Sequence, residues 1–397
     1  MGRPPRQARV SRARGSDARA APSACPERVL YSRPCHERVP RVRPDWGRLR
    51  AVVLESDDWG LCAWSADDEA YRALAGSAAF ASAAGRIYGR STLESAADVR
   101  ALRETLLEFR GADGYPPVWQ ANTVMAAPDY ARLEREGFGG DELPLALLPE
   151  TPARWRRPGM WDEVRSGIAA GVWWPELHGL HHLPASAWLA ALRRGDPDAR
   201  LAFGQQCPVC VAVEAGGEFD PAEPAAARAR GLEQAFAHFA RLFGRPPSSL
   251  CPPDYRWDDA LDGAAARLGA TVLQGAAERA GSWVHLRRLL GRWRWPERRG
   301  GLLRMPPRIA FEPRGDAAPH AALGAERAHA AVRAAWRGGR PAVVSTHRHN
   351  YAHLDRAWSE AGRAALRDLL RRLCEDGAVF LTDAKVRERV ADAGGRA

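Results

Sequence analysis

Between residues 51 and 382 the chain repeats one pattern: a short apolar run, a polar turn, then a stretch with apolar residues every three or four positions. The runs fall at 51–54, 117–122, 172–178, 271–273, 302–305, 342–347 and 379–382. They are too short for buried helices and predict strands covered on both faces. The stretches between them, at 99–109, 185–192, 225–243, 260–268, 325–336 and 361–373, predict amphipathic crossover helices. Strand alternating with helix seven or eight times predicts an α/β fold, and repetition over about 330 residues suits a (β/α) barrel with mostly parallel strands and loop insertions. The expected insertions are 128–160, rich in Pro and charge, and 195–224, rich in Gly, Pro and acids. No linker divides the stretch, so a single barrel domain is expected over 49–390.

Charge sets the other boundary. The chain carries a formal +10, but residues 1–50 hold thirteen Arg against four acids, which leaves the rest within one charge of neutral. Residues 1–48 therefore read as an unfolded, Arg-rich extension. The near-neutral body argues against a nucleic-acid partner. Lys385 is the sole lysine, so the basic content follows a general Ala/Arg/Gly/Pro bias and not a phosphate-binding face. No run approaches eighteen consecutive apolar residues, so no membrane span is expected. Seven scattered cysteines, an odd number, fit a reduced and cytoplasmic setting better than a disulfide framework.

In parallel sheets chemistry collects where strands end. Three strand ends carry metal-binding or proton-transfer side chains: Asp57-Asp58, His178 with His182, and His347. Two adjacent carboxylates in an apolar pocket need a cation, a basic partner or water, and a helix N-terminus that favours acids is the plainer alternative. In His178-Gly179-Leu180-His181-His182 any turn of helix places the outer imidazoles on one face, able to share an ion such as zinc. Cys207-Pro208-Val209-Cys210 has no second Cys or His pair nearby and reads as structural.

These residues, in this order, resemble the first, second and last motifs of the polysaccharide deacetylases of the NodB-homology class, over about residues 50–385. The resemblance implies a distorted (β/α) barrel and a metal-dependent hydrolase that removes an acyl group, commonly acetyl, from an N-acylated sugar or polysaccharide. It implies Asp57 as general base, Asp58, His178 and His182 as ligands of a divalent metal, usually zinc, and His347 as the acid that protonates the leaving amine. The family's third motif, an Arg followed by Pro and an aromatic, has Cys251 in the Arg position of Leu250-Cys251-Pro252-Pro253-Asp254-Tyr255-Arg256. Arg256 replaces that Arg only from a different backbone position. Trp59, Asn122, Tyr255, Arg256, His349 and Asn350 are expected to line the substrate site, with Arg308 and Glu312 as further lining residues on position alone. The alternative reading is a non-catalytic barrel that binds a carbohydrate or metabolite.

Overall fold

The apolar runs fold as strands at the expected places. In chain order the strands are β1 (Ala51–Trp59), β2 (Trp119–Thr123), β3 (Ala126–Pro128), β4 (Leu145–Leu147), β5 (Trp173–Leu177), β6 (Ser249–Leu250), β7 (Val272–Leu273), β8 (Glu297–Arg299), β9 (Leu302–Arg304), β10 (Arg308–Ala310), β11 (Ala342–His347) and β12 (Val379–Phe380). The computed structural model describes residues 44–140, 142–214, 216–275, 295–313 and 323–393. Most of the Arg-rich extension, residues 1–43, lies outside these.

Ten strands form one sheet in the order β10-β11-β1-β2-β5-β6-β7-β9-β8, with β12 also on β1. Every pairing in it is parallel except β8 with β9. The sheet is curled. Ala51 and Val53 of β1 share one buried cluster with Val272 of β7 and Leu303 of β9, although a flat sheet would hold strands four apart at about 19 Å. Polar residues also meet across the interior, as where Asn122 of β2 pairs with Gln274 just after β7.

Alternate residues of β1 face opposite ways. Val52 and Leu54 pack outward with Leu106, Val332 and Leu366 of the helices Ala96–Leu107, Ala325–Arg337 and Arg356–Glu375. The first of these helices starts at a capping box, in which the Ser95 hydroxyl accepts the Asp98 N–H and the Asp98 carboxylate accepts the Ser95 N–H.

Three features differ from expectation. β6 and β10 are two and three residues long, too short for an alternation to register. A helix Trp46–Leu49, capped by Asp45, precedes β1, and Trp46 is buried edge-on against Trp295, so the packed part reaches past residue 49. Segment 128–160 contributes β4 to a separate hairpin with β3, and 195–224 includes a helix Pro197–Gly204.

Candidate metal and acid–base centre

The Asp57-Asp58 pair depends on an irregularity in β1. Its register with β2 runs Leu54↔Trp119, Glu55↔Gln120, Ser56↔Ala121, then jumps to Trp59↔Thr123. Asp58 takes up the extra residue with φ of +74°, a left-handed conformation that non-Gly residues adopt only where the surroundings enforce it. Successive residues of a regular strand point to opposite faces. Here the bulge brings both carboxylates to the same mouth of the barrel. It also turns Trp59 outward: its ring is 1% exposed, packs edge-on at 4.6 Å against Trp173, and donates its indole N–H to the Ser56 hydroxyl at 2.9 Å. Trp59 is a core residue, contrary to its expected place on the substrate.

The two histidines are also assembled by irregular backbone. His178 follows β5, and its N–H donates to the Thr123 carbonyl at 2.9 Å. Residues 178–183 are not helical as the spacing suggested; Gly179 and His182 have φ of +81° and +63°. A side chain at Gly179 would meet Glu218 Oε2 at 2.6 Å and Pro253 at 2.8 Å. Glu218 holds the loop from below, its carboxylate accepting the N–H groups of Leu180, His181 and His182 at 2.9–3.0 Å. This residue lies in segment 195–224 and carried no motif signal in the sequence.

Asp58 Oδ1 stands 3.4 Å from His178 Nε2 and 3.5 Å from His182 Nε2. Ligands about 2.0–2.1 Å from a tetrahedral zinc are about 3.3 Å from one another, so the spacing fits a small cation. His178 Nδ1 is within 2.9 Å of the Cys251 carbonyl, an acceptor that can only receive a proton from it. Burial disfavours a charge on this ring, but Cys251, Asp58 and Asp57 raise its pKa well above the ordinary imidazole value. With a cation between Nε2 and Asp58 in place of the proton, the Nδ1 bond would fix Nε2 as the ligand nitrogen. Asp58, His182 and His347 keep 20%, 16% and 25% of their side chains exposed, so the site opens to solvent. A second grouping, Asp57 with His178 and Cys251, is also close enough for an ion. It does not suit one, because the Arg308 guanidinium lies 3.7 Å from Cys251 Sγ and burial pushes that thiol up to about 11.

Asp57 is buried beside this cluster. Arg308 donates to both of its oxygens at 3.0 Å, and Asn122 adds a third N–H at 2.6 Å. Burial would raise its pKa, but Arg308, together with His178 and His347 nearby, outweighs that and holds it well below the usual carboxylate range. Arg308 also donates to Glu55 at 2.7 Å and to the Tyr255 hydroxyl at 2.7 Å, and that hydroxyl lies 3.5 Å from Asp57. The cation expected beside Asp57 is therefore present but comes from β10. Arg256 does not supply it; its guanidinium pairs with Asp220 at 2.6 Å. The peptide around Tyr255 is strained into place, with φ of +52° and +53° at Asp254 and Tyr255. A side chain on Gly275 would collide with the Tyr255 ring at 2.4 Å.

On the other flank, His347 Nε2 is 4.0 Å from Asp57 Oδ2 and Nδ1 is 2.5 Å from Glu312 Oε1. Burial opposes a charge on this ring, but Glu312, with Asp58 and Asp57 nearby, outweighs it and raises the pKa to about 9. Asn350 is fully buried and spends its amide on Glu312 at 2.6 Å and on the His347 carbonyl at 3.1 Å. His349 is 1% exposed and edge-on to Tyr88. Both residues support His347 from behind and do not line the mouth as expected. Of the expected substrate residues, Tyr255 and Asn122 reach Asp57, and Asn122 does so from beneath it. Cys207 and Cys210 are buried and belong to no metal-sized group among the described residues.

Fold and site together define a curled, mostly parallel (β/α) sheet whose strand ends gather an Asp-His-His cluster at metal-ligand spacing beside a salt-bridged carboxylate and a carboxylate-bound imidazole. No family model and no curated protein matches the chain. Among solved structures it is similar to a Mycobacterium smegmatis protein assigned as a polysaccharide deacetylase (13% identity, TM-score 0.41, 86% of this chain and 89% of that one). It is similar also to a family 4 carbohydrate esterase of Streptomyces lividans in complex with acetate (11%, 0.33, 83% and 91%). A Thermococcus litoralis 4-α-glucanotransferase is similar at 11% identity and TM-score 0.43, over 84% of this chain and 39% of that one.

Proposed function

We propose that the protein is a divergent polysaccharide deacetylase-type enzyme, a metal-dependent hydrolase that removes an acyl group, acetyl above all, from an N-acylated sugar or polysaccharide. The observation that carries the reading is the convergence of Asp58, His178 and His182 at metal-ligand spacing within reach of Asp57 and His347. A divalent cation, zinc by the nitrogen-rich donor set, would be held by those three residues and would polarise the acyl carbonyl and acidify water. Asp57, kept ionised by Arg308, accepts the proton of the attacking water. Asp57 Oδ2 and His347 Nε2 are 4.0 Å apart, so a group lying over both, and not between them, can hydrogen-bond to each. His347, charged and fixed by Glu312 at Nδ1, delivers a proton from Nε2 to the departing nitrogen. Tyr255, held by Arg308, stands at the rim beside Asp57. The binding-only alternative drew on the missing motif Arg; with Arg308 on the base, nothing in the site favours it.

The site suits a single domain beginning near Trp46. No helix among the described residues is long and apolar enough to cross a membrane, and a cytoplasmic setting rests on the cysteine usage. The test is metal content of the purified protein followed by acetate release from acetylated amino sugars. Stoichiometric zinc is expected, with loss of both metal and hydrolysis in Asp58→Ala and His178→Ala. Full metal retention in both variants would defeat the assignment.

A further inference from the structure

Beneath Asp57 the barrel interior is polar, and its hydrogen bonds form one connected chain. Asn122 donates to Asp57 at 2.6 Å and to Gln274 Oε1 at 2.8 Å, while Gln274 donates back to Asn122 at 3.0 Å and onward to Ser249 Oγ at 2.7 Å. The Ser249 hydroxyl donates to Asp383 Oδ2 at 2.6 Å, which also accepts from Gln120 at 2.9 Å. Asp383 opens the helix Asp383–Ala393, and its own N–H returns to Gln120 Oε1 at 3.0 Å. Carboxylates only accept, so Asp57 and Asp383 at the two ends dictate which way each amide and the hydroxyl point.

Two atoms do not fit this scheme if every carboxyl is ionised. Glu55 and Asp383 are both 0% exposed. Glu55 uses Oε2 for Arg308, Asp383 uses Oδ2 for Ser249 and Gln120, and the remaining oxygens, Glu55 Oε1 and Asp383 Oδ1, have no donor. Glu55 stands opposite Gln120 in the β1–β2 register, and the Gln120 amide holds Asp383, so the two carboxyls share one buried pocket. Two carboxylates buried in one pocket with unpaired oxygens are costly, and one proton between them satisfies both at once. We propose that Glu55 and Asp383 share a single proton, so that the floor of the barrel holds a carboxylic acid hydrogen-bonded to a carboxylate. The pair anchors the hydrogen-bond chain that aims Asn122 at Asp57, and it keeps Arg308 from facing three full negative charges. The charged groups that face it are Arg308 from β10 and Asp57 from β1; Gln120 from β2 and Ser249 from β6 are neutral. In agreement, burial raises both carboxyls above their ordinary range, with Arg308 drawing Glu55 only part of the way back.

The inference stands on buried polar geometry and does not need the deacetylase reading. The test is infrared spectroscopy of the full chain in D2O, comparing wild type with Asp383→Asn. The Asn oxygen can accept from Ser249 and Gln120 while its amide donates to Glu55 Oε1, so every bond is kept and the proton becomes unnecessary. At neutral pH the wild-type spectrum is expected to contain a protonated-carboxyl band that the folded variant lacks. Glu55→Gln, whose amide donates to Asp383 Oδ1, is the second variant and should lose the same band. The shared proton is bound in the folded state above the ordinary carboxyl range, so stability is complete below that range and falls as pH rises through the pair's own titration. Across that interval the wild-type unfolding constant should rise tenfold per pH unit relative to Asp383→Asn. Absence of a protonated-carboxyl band from the wild type at neutral pH, or its survival in both variants, would overturn the proposal.

Discussion

Asp57 and Glu55 sit two residues apart on the same face of the same strand, are equally buried, and share one guanidinium, yet they are pushed in opposite directions. Asp57 receives three N–H groups, two from Arg308 and one from Asn122, and is held well below the usual carboxylate range. Glu55 receives one from Arg308, and burial drives it well above that range. Depth is the same in the two places; the donors differ, and so do the neighbouring charges, His178 and His347 beside Asp57 but Asp383 and Asp57 beside Glu55. The mouth of the barrel is thus built to keep a carboxylate charged and the floor to keep a proton, a division that follows from where Arg308 directs its planar fork.

The largest expected effect comes from removing that fork. Arg308→Met leaves two buried carboxylates without their cation and should cost about 3–5 kcal/mol of stability, measured by urea unfolding without added metal. The loss should shrink toward acidic pH, where the stranded carboxyls protonate; a loss under 1 kcal/mol would mean that Arg308 does not govern the contrast. A smaller effect is expected from Glu218→Gln, which withdraws carboxylate acceptors from the backbone of the His178–His182 loop while leaving the Asp57–Glu55 pair untouched. Zinc affinity should fall about 10–100-fold, as for other groups that support metal ligands. Competition titration with a chelator reads it, and an unchanged affinity would remove Glu218 from any role in the centre. The smallest change in magnitude is a shift of pH. His347 must be protonated to act as an acid, so hydrolysis should be present below its pKa and lost above about 9. Glu312→Gln removes the carboxylate on Nδ1 and should bring the alkaline limb of the rate profile down toward the ordinary imidazole range of about 6.5. A limb that stays in place would detach His347 from the proton-donor role.

The parts of this site that were legible in the sequence share one property: each is a strand-end residue. Asp57, Asp58, His178, His182 and His347 could be picked out because a strong ligand or proton carrier directly followed an apolar run. What those residues lean on was hidden. Arg308 reaches Asp57 across 251 positions and Gln120 reaches Asp383 across 263. Glu218 and Glu312 lie 38 and 35 positions from the groups they hold. Arg308 and Glu312 were visible only as neighbours of a strand end, with no indication of partner. Trp59 shows the opposite error. Its nearness in sequence to the acidic pair suggested the substrate mouth, but a one-residue bulge sent the carboxylates inward and the indole into the helix layer.

By itself the sequence determined the alternation of strand and helix, the place of the near-neutral body after a basic end, and the positions at which chemistry is exposed. These follow from local periodicity and composition, which act over a few residues at a time. Tertiary structure decided which cation meets Asp57, that the His178–His182 segment is a loop and not a helical turn, and that Glu55 and Asp383 are buried in one polar pocket around Gln120. Those outcomes depend on the curl of the sheet, which brings the ends of distant strands within a hydrogen bond's length, and a distance of that kind is not written in the order of residues along the chain.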